Sequence, residues 1–304
     1  MRKFKEQKDD LSMLFCLAGE MVSMKGEDSY AYASCGEKTL ISVFDGCGGS
    51  GSRRYENYVG STGAYVASRA VAGSVSDWFL HTNGNPEYLP EYIARALNIC
   101  DSYGDKTGRL IGSLGLSFPT TAAGMIVDVH SKKIEAECFW AGDSRCYLLD
   151  ADGLHQLSRD DVDCQDAYQN LSGDGALTNV INVDGKYTLN RKKETFKMPC
   201  ILFAATDGCF AYMKTPMEFE YAILETLLKS DSIEEWKMNL NAKILEFAGD
   251  DHTMCLAAFG FDDFVSVKRY FVERAKAMYC TYIQNGQDDR AGWKKYERDY
   301  YKYL

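Results

Sequence analysis

Apolar residues in this chain come in short runs of five to seven, and several of those runs stop or start at an acidic residue. Leu40-Ile-Ser-Val-Phe44 ends at Asp45-Gly46, and Ile201-Leu-Phe-Ala-Ala-Thr206 ends at Asp207-Gly208. Glu27-Asp28 precedes Ser29-Tyr-Ala-Tyr-Ala33, and Asp250-Asp251 precedes Thr253-Met-Cys-Leu-Ala-Ala-Phe259. Runs of this length, rich in β-branched and aromatic residues and cut by glycine, predict buried strands. Residues 11–50 therefore read as strands joined by turns. Residues 52–80 read as a helix whose middle is weakened by two glycines. A second helix is predicted after Asn85-Pro86, with Pro near its first position, through Tyr92-Ile-Ala-Arg-Ala-Leu97.

From Thr120 to Leu157 the pattern returns to strands. Met125–Val129, Ile134–Trp140 and Arg145–Leu149 are separated by short polar turns, too tight for parallel crossovers, and predict an antiparallel meander. Residues 158–198 are polar and contain glycine, as a surface flap would be. Helices are expected near 217–229 and 232–247, between the strands at 201–206 and 253–259. Beyond them Phe264, Val267, Phe271, Ala275, Met278 and Tyr282 recur at helical steps, giving one apolar face. Trp293, Tyr296, Tyr300 and Leu304 repeat that pattern after Gly286. The organisation expected is one domain over 1–260 and a helical C-terminal appendage over 261–304.

Composition narrows the function. With 304 residues and 46% apolar content the chain can bury a sizeable core. A net charge of −10 argues against nucleic-acid binding, which needs a basic surface. The eleven cysteines are odd in number and include no Cys-x-x-Cys, and Cys138, Cys146, Cys200, Cys209 and Cys255 lie in or next to apolar runs, where free cysteine reads as a small buried hydrophobe. With only four histidines and no ligand spacing, a zinc site is not indicated. Reduced thiols fit a cytoplasmic protein. The stretch Leu11–Val22 is broken by Ser12, Gly19 and Glu20, which fits neither a signal peptide nor a membrane span.

Carboxylates at the ends of buried strands gather at the rim of a sheet. There they repel one another unless a cation neutralises them, and hard oxygen ligands suit magnesium or manganese. A lone Asp-Gly is an ordinary turn signal. The ordered set carries more weight: an acidic pair, Phe-Asp-Gly-Cys-Gly-Gly, Ala-Gly-Asp-Ser-Arg, Ala-Thr-Asp-Gly and Gly-Asp-Asp-His-Thr. In that order these motifs resemble the metal-dependent protein Ser/Thr phosphatases, the PPM or type 2C family, in its bacterial form. Phe118-Pro-Thr-Thr-Ala122, Gly153-Leu-His-Gln-Leu157 and Gly175-Ala-Leu-Thr-Asn-Val180 extend the match, which runs from Glu27 to Phe259.

The resemblance implies an α+β fold of two packed antiparallel β-sheets flanked by α-helices, a four-layer αββα sandwich. It implies hydrolysis of phosphoserine or phosphothreonine on proteins by a water or hydroxide bridging two Mn or Mg ions, with a third ion in some bacterial relatives. Carried over by position, Asp45 bridges the two cations, and Asp207 and Asp250 complete one. Glu27 and the carbonyl of Gly46 serve the other, and Asp143 binds the third. The expected partner is a phosphoprotein that is the target of a Ser/Thr kinase. No nucleic acid or membrane is expected, and the chain is expected to be a monomer.

Three positions depart from the family's pattern. Cys47 stands where many relatives have a His that assists leaving-group protonation, and a thiol of pKa about 8.5 is a poor donor there. Ser23 replaces the usual phosphate-anchoring Arg, leaving Lys25, or Arg53 and Arg54, as substitutes. Asp251 replaces the usual Asn and either tightens metal binding or caps a turn. These departures motivate an alternative, a phosphatase-like regulatory or binding module with little catalysis. Gly48, Gly49 and Gly51 lack the Gly-Lys-Ser/Thr of a P-loop and read as a tight strand-to-helix turn. His252 reads as structural, and Arg145 as an ion-pair residue.

Overall fold

The computed structural model describes residues 10–104, 116–130, 133–163, 166–170, 176–284 and 289–304. The charged N-terminal stretch, Gly175 and Gly286 lie outside the described residues. Among these residues the strands are β1 (Leu11–Gly19), β2 (Ser29–Cys35), β3 (Lys38–Phe44), β4 (Arg54–Tyr55), β5 (Ser61–Thr62), β6 (Ala122–His130), β7 (Lys133–Ala141), β8 (Arg145–Asp150), β9 (Gly153–Gln156), β10 (Asn190–Lys197), β11 (Cys200–Ala205) and β12 (His252–Phe259). The α-helices are α1 (Gly63–Thr82), α2 (Leu89–Tyr103), α3 (Ala167–Asn170), α4 (Pro216–Lys229), α5 (Ile233–Leu245), α6 (Phe264–Met278) and α7 (Asp289–Tyr300), with a π-turn over Tyr279–Ile283 after α6.

Two five-stranded antiparallel sheets, in the orders β1-β12-β11-β8-β9 and β10-β7-β6-β3-β2, pack face to face. Alternation along the strands builds the layers. On β11, Leu202 and Ala204 point between the sheets with Ile41, Val43, Met125 and Ala257. Ile201, Phe203 and Ala205 point outward to a core shared with α4, α5, α6 and α7. On β3, Leu40 and Phe44 point outward to α1 and α2. Strands covered on both faces must be apolar throughout, which is why they read as unbroken hydrophobic runs. The architecture is the expected αββα sandwich. Among the described residues no helix is long and apolar enough to cross a membrane.

Four expectations are corrected. The helix predicted from residue 52 starts at Gly63, where the Thr62 hydroxyl accepts the N–H of Tyr65 at 3.1 Å. Before it, β4 and β5 form a hairpin whose turn needs positive φ at Val59 and Gly60, 57° and 75°. The second helix begins at Leu89, so the proline in its first turn is Pro90 and not Pro86. The meander holds only for β6 and β7; β8 pairs with β9 and β11 in the other sheet. The crossing falls at Gly142, with φ 100°, a corner that apolar alternation alone cannot reveal. Finally, the predicted flap ends in β10, a polar edge strand whose residue buried against the core is Phe196.

Candidate active site

The sandwich brings the acidic motifs to one end. β3 packs across the sandwich from β11 and β12. Asp45 follows β3, Asp207 follows β11 and Asp250 comes two residues before β12. Asp143 sits in the corner between β7 and β8. These four carboxylates line one cleft of about 660 Å3, together with Gly46, Cys47 and Arg145.

Each is held by backbone. The carbonyl of Asp45 accepts the N–H of Thr121 at 2.8 Å and the hydroxyl of Thr120 at 2.7 Å. A side chain at Gly46 would lie 2.7 Å from the carbonyl oxygen of Ala64, so only glycine lets the chain pass there. The corner carrying Asp143 is fixed by Asp161, whose carboxylate accepts the N–H of Gly142 at 3.0 Å while its own N–H donates to the Gly142 carbonyl at 2.9 Å. Ser144 and Thr121 share a hydroxyl–hydroxyl bond of 2.7 Å, linking that corner to the Asp45 support. At Gly208 a Cβ would come within 2.8 Å of the Asp251 carbonyl carbon, so the turns bearing Asp207 and Asp250 lie against each other.

Glu27 is placed from four sides. Its N–H donates to Asp251 at 2.8 Å, and its carbonyl accepts the Ser68 hydroxyl at 2.5 Å and Arg69 at 3.5 Å. Its carboxylate accepts the Thr62 hydroxyl. It also lies against Gly48, where a Cβ would be 3.3 Å from the carboxyl carbon of Glu27. Asp28 accepts the Thr206 hydroxyl at 2.8 Å.

The cluster is strongly acidic, and its electrostatics show the strain. Burial pushes the Asp45 carboxyl well above the usual range, and the charges of Asp28, Asp207, Asp143 and Asp250 push it further. Asp143 moves the same way, through burial and then Asp207 and Asp160. Burial and the charges of Asp207 and Asp251 bring Asp28 up to about 7, against the opposing bond from Thr206. Glu27 and Asp250 are raised, chiefly by burial. The one cation among the described lining residues, Arg145, is committed to Asp160 at 2.6 Å. One oxygen of Asp143, Oδ1, is buried and has no hydrogen-bond partner among the described residues. A partly buried, mutually repelling set of carboxylates with one buried orphan oxygen fits a hard divalent cation.

No three of these carboxylates bring one ligand atom each within 4.8 Å of one another; among the described residues that is done by Glu37, Asp128 and His130, the last through a ring nitrogen. That trio lies at the start of β3 and the end of β6, away from the cleft. Lys25 is exposed, and Arg53 stacks on Tyr55 with its guanidinium 4.7 Å from the ring centre; neither lines the cleft. Arg54 donates to the Gly60 carbonyl at 2.8 Å. Cys47 lines the cleft, its thiol raised well above the ordinary value by burial and by Asp45, Asp143 and Asp207. His252 is buried, bonds Asn241 at 2.9 Å and is held neutral by its burial.

Sequence reasoning passed over Asp160, Asp161 and Thr206, and gave Asp28 no role of its own. The signal for the first two was present as Arg159-Asp160-Asp161, three charges inside an otherwise loosely patterned flap.

No protein-family model and no curated protein sequence matches the chain. Solved structures do. A bacterial serine phosphatase matches with a TM-score of 0.57 at 17% identity, over 82% of this chain and 98% of its own. Serine/threonine phosphatase Stp1 from Staphylococcus aureus gives 0.58 at 18% identity, over 82% and 96%. The catalytic domain of PstP, a serine/threonine protein phosphatase, in complex with two manganese ions gives 0.54 at 15%, over 82% and 98%. The chain thus has the fold of the bacterial serine/threonine phosphatases.

Proposed function

We propose that this chain is a metal-dependent phosphatase acting on phosphoserine or phosphothreonine in proteins. The observation that carries the reading is the cleft: four strand-end aspartates converge there, and a buried Asp143 oxygen lacks a protein partner. The phosphatase fold of the neighbours and the two manganese ions of PstP support it.

Asp45, Asp207, Asp250, Asp143, Glu27 and the Gly46 carbonyl would hold two or three Mn or Mg ions. Bound there, such ions lower the pKa of water and neutralise a phosphate, the two needs of phosphomonoester hydrolysis. The protein's own residues supply the frame. Thr120 and Thr121 fix Asp45, Asp161 fixes the Asp143 corner, and Asp251 fixes Glu27. Cys47 keeps its proton near neutral pH, so it serves as a weak donor at the cleft and not as a nucleophile. Lys25, on the exposed turn before Glu27, and Arg53, in the hairpin that carries Thr62, are the phosphate-binding candidates outside the cleft lining. The substrate is a phosphoprotein made by a Ser/Thr kinase, met in the cytoplasm, where the free thiols stay reduced.

The test is hydrolysis of a phosphothreonine peptide in chelator, magnesium and manganese, with Asp45→Asn beside the wild type. Turnover that requires metal and is lost in the variant is expected. Equal inertness of both proteins in every metal, with the peptide still bound, would instead establish a binding module.

A further inference from the structure

The C-terminal helix reaches the candidate site through tyrosine hydroxyls. Tyr300, at the end of α7, is 1% exposed. Its hydroxyl accepts from Nη1 of Arg145 at 3.3 Å and shares a 3.2 Å bond with the Tyr147 hydroxyl. The same guanidinium donates Nε and Nη2 to Asp160, at 2.9 and 2.6 Å, and lies over the Phe210 ring at 4.1 Å. Arg145, Asp160 and Phe210 all line the cleft. One residue further on, the hydroxyl of Tyr301 accepts the N–H of Ala167 at 2.7 Å. Trp293, two turns earlier on the same face of α7, stacks on Tyr168 with ring centroids 6.3 Å apart.

Helix α7 is itself anchored. Tyr296 donates to Glu220 of α4 at 2.5 Å, and Glu220, fully buried, pairs with Arg274 of α6 at 2.5 Å. The Asp299 carbonyl meets His155 of β9, and Lys192 of β10 meets the Tyr303 carbonyl. A rigidly held helix thus grips two points: the Arg145–Asp160 pair in the cleft wall, and the Ala167-Tyr168 turn behind Asp160. A cavity of about 270 Å3, lined by Gln156, Asp160, Ala167 and Tyr301 among others, separates the two grips. Space at that point lets the turn shift once a grip is released, since close packing would otherwise hold it.

We propose that α7 is a positioning element of the site: Tyr300 and Tyr301 set where Asp160, Arg145 and the Ala167-Tyr168 turn stand relative to the cleft, and so tune how substrate is received. Tyr300 and Tyr301 act through Arg145 and the turn and do not touch the reacting phosphate. In its effect on substrate the inference rests on the phosphatase reading; in its effect on the turn it does not.

The experiment compares Tyr300→Phe and Tyr301→Phe with the wild type in three ways: amide exchange at Ala167 and Tyr168, kcat and KM on a phosphothreonine peptide, and manganese titration. Expected are exchange faster by about tenfold at Ala167 in Tyr301→Phe, and KM raised about fivefold with kcat and manganese affinity within about twofold of wild type. Two results would overturn the proposal: exchange unchanged in both variants, or a loss of kcat and manganese affinity together with KM untouched. Should Tyr300→Phe fail to fold, the half-buried Tyr301 supplies the same readouts. A wild type inert on every phosphopeptide would remove the phosphatase reading, and the exchange data alone would then decide whether α7 holds the turn.

Discussion

One oxygen of the Asp251 carboxylate accepts the backbone N–H of Glu27 at 2.8 Å, although 224 residues separate the two in sequence. The other oxygen accepts the N–H of Met21, also at 2.8 Å. Of the two roles the sequence left open for Asp251, capping is the one the structure gives it. It closes the 21–27 loop and holds the Glu27 backbone, whose carboxylate lies against Gly48 of the cleft lining.

Asp251→Ala should therefore cost about 1–3 kcal/mol, because two N–H groups lose a charged acceptor. Asp251→Asn should cost less, since one oxygen remains. Manganese affinity should fall about tenfold in the Ala variant, as it does when groups that orient ligands are removed. Thermal melting with and without manganese separates the two effects; an unchanged metal response would detach Glu27 from the site.

Asp45 should show opposed effects on stability and activity. Its carboxyl is buried among four other acids, so it costs the metal-free fold energy. Asp45→Asn should melt higher than wild type in chelator, yet lose peptide hydrolysis by about a hundredfold or more. A variant that melts lower in chelator would contradict the electrostatic account.

Asp160→Ala strands the Arg145 guanidinium, which is only 3% exposed as a residue. Breaking a buried pair from one side costs about 3–5 kcal/mol. Denaturant unfolding would measure it. Replacing Arg145 as well should return part of the loss, since no buried charge is then left alone.

The raised Asp28 carboxyl gives a pH signature in chelator. Its ordinary value is 3.8 and the folded value about 7. Below the ordinary value both folded and unfolded chains hold the proton, and the contribution is fully present. Between 3.8 and about 7 the unfolded chain ionises while the folded one stays protonated, so stability is lost as pH rises. Wild type should thus weaken relative to Asp28→Asn from about pH 4 to about pH 7, and run parallel above it. A difference that does not vary with pH would refute the assignment.

The parts of the fold that were legible in sequence are those buried on two faces. β3, β11 and β12 read as strands because both their faces are buried; their polar residues stand at the strand starts, apart from Ser42, whose hydroxyl donates to the Ala31 carbonyl. β10 was illegible because it is an edge with charged residues along its length, so neither face writes an apolar row. The sheet crossing at Gly142 was illegible for another reason: local alternation is the same whether the next strand pairs beside its predecessor or across the core. Arg145 was legible as an ion-pair residue, but its partners Asp160 and Tyr300 were not, since nothing local links residues 15 and 155 positions apart. Lys25 and Arg53 are near the acidic motifs in sequence, whereas the cleft wall joins Asp45–Ser50 to Asp143, Arg145, Asp160, Asp207 and Asp250, which only the fold brings together.

β12 lies between β1 and β11 in its sheet, so the second strand from that edge is the last strand of the chain. Until β12 inserts, β1 has no neighbour in the sheet, Asp250 is not beside Asp207, and Asp251 cannot reach Glu27. A growing or clipped chain that stops short of His252 therefore carries most of the acidic residues but no assembled cleft. The cleft is complete only with the sheet closed: the strand that gives β1 its neighbour also sets Asp250 beside Asp207.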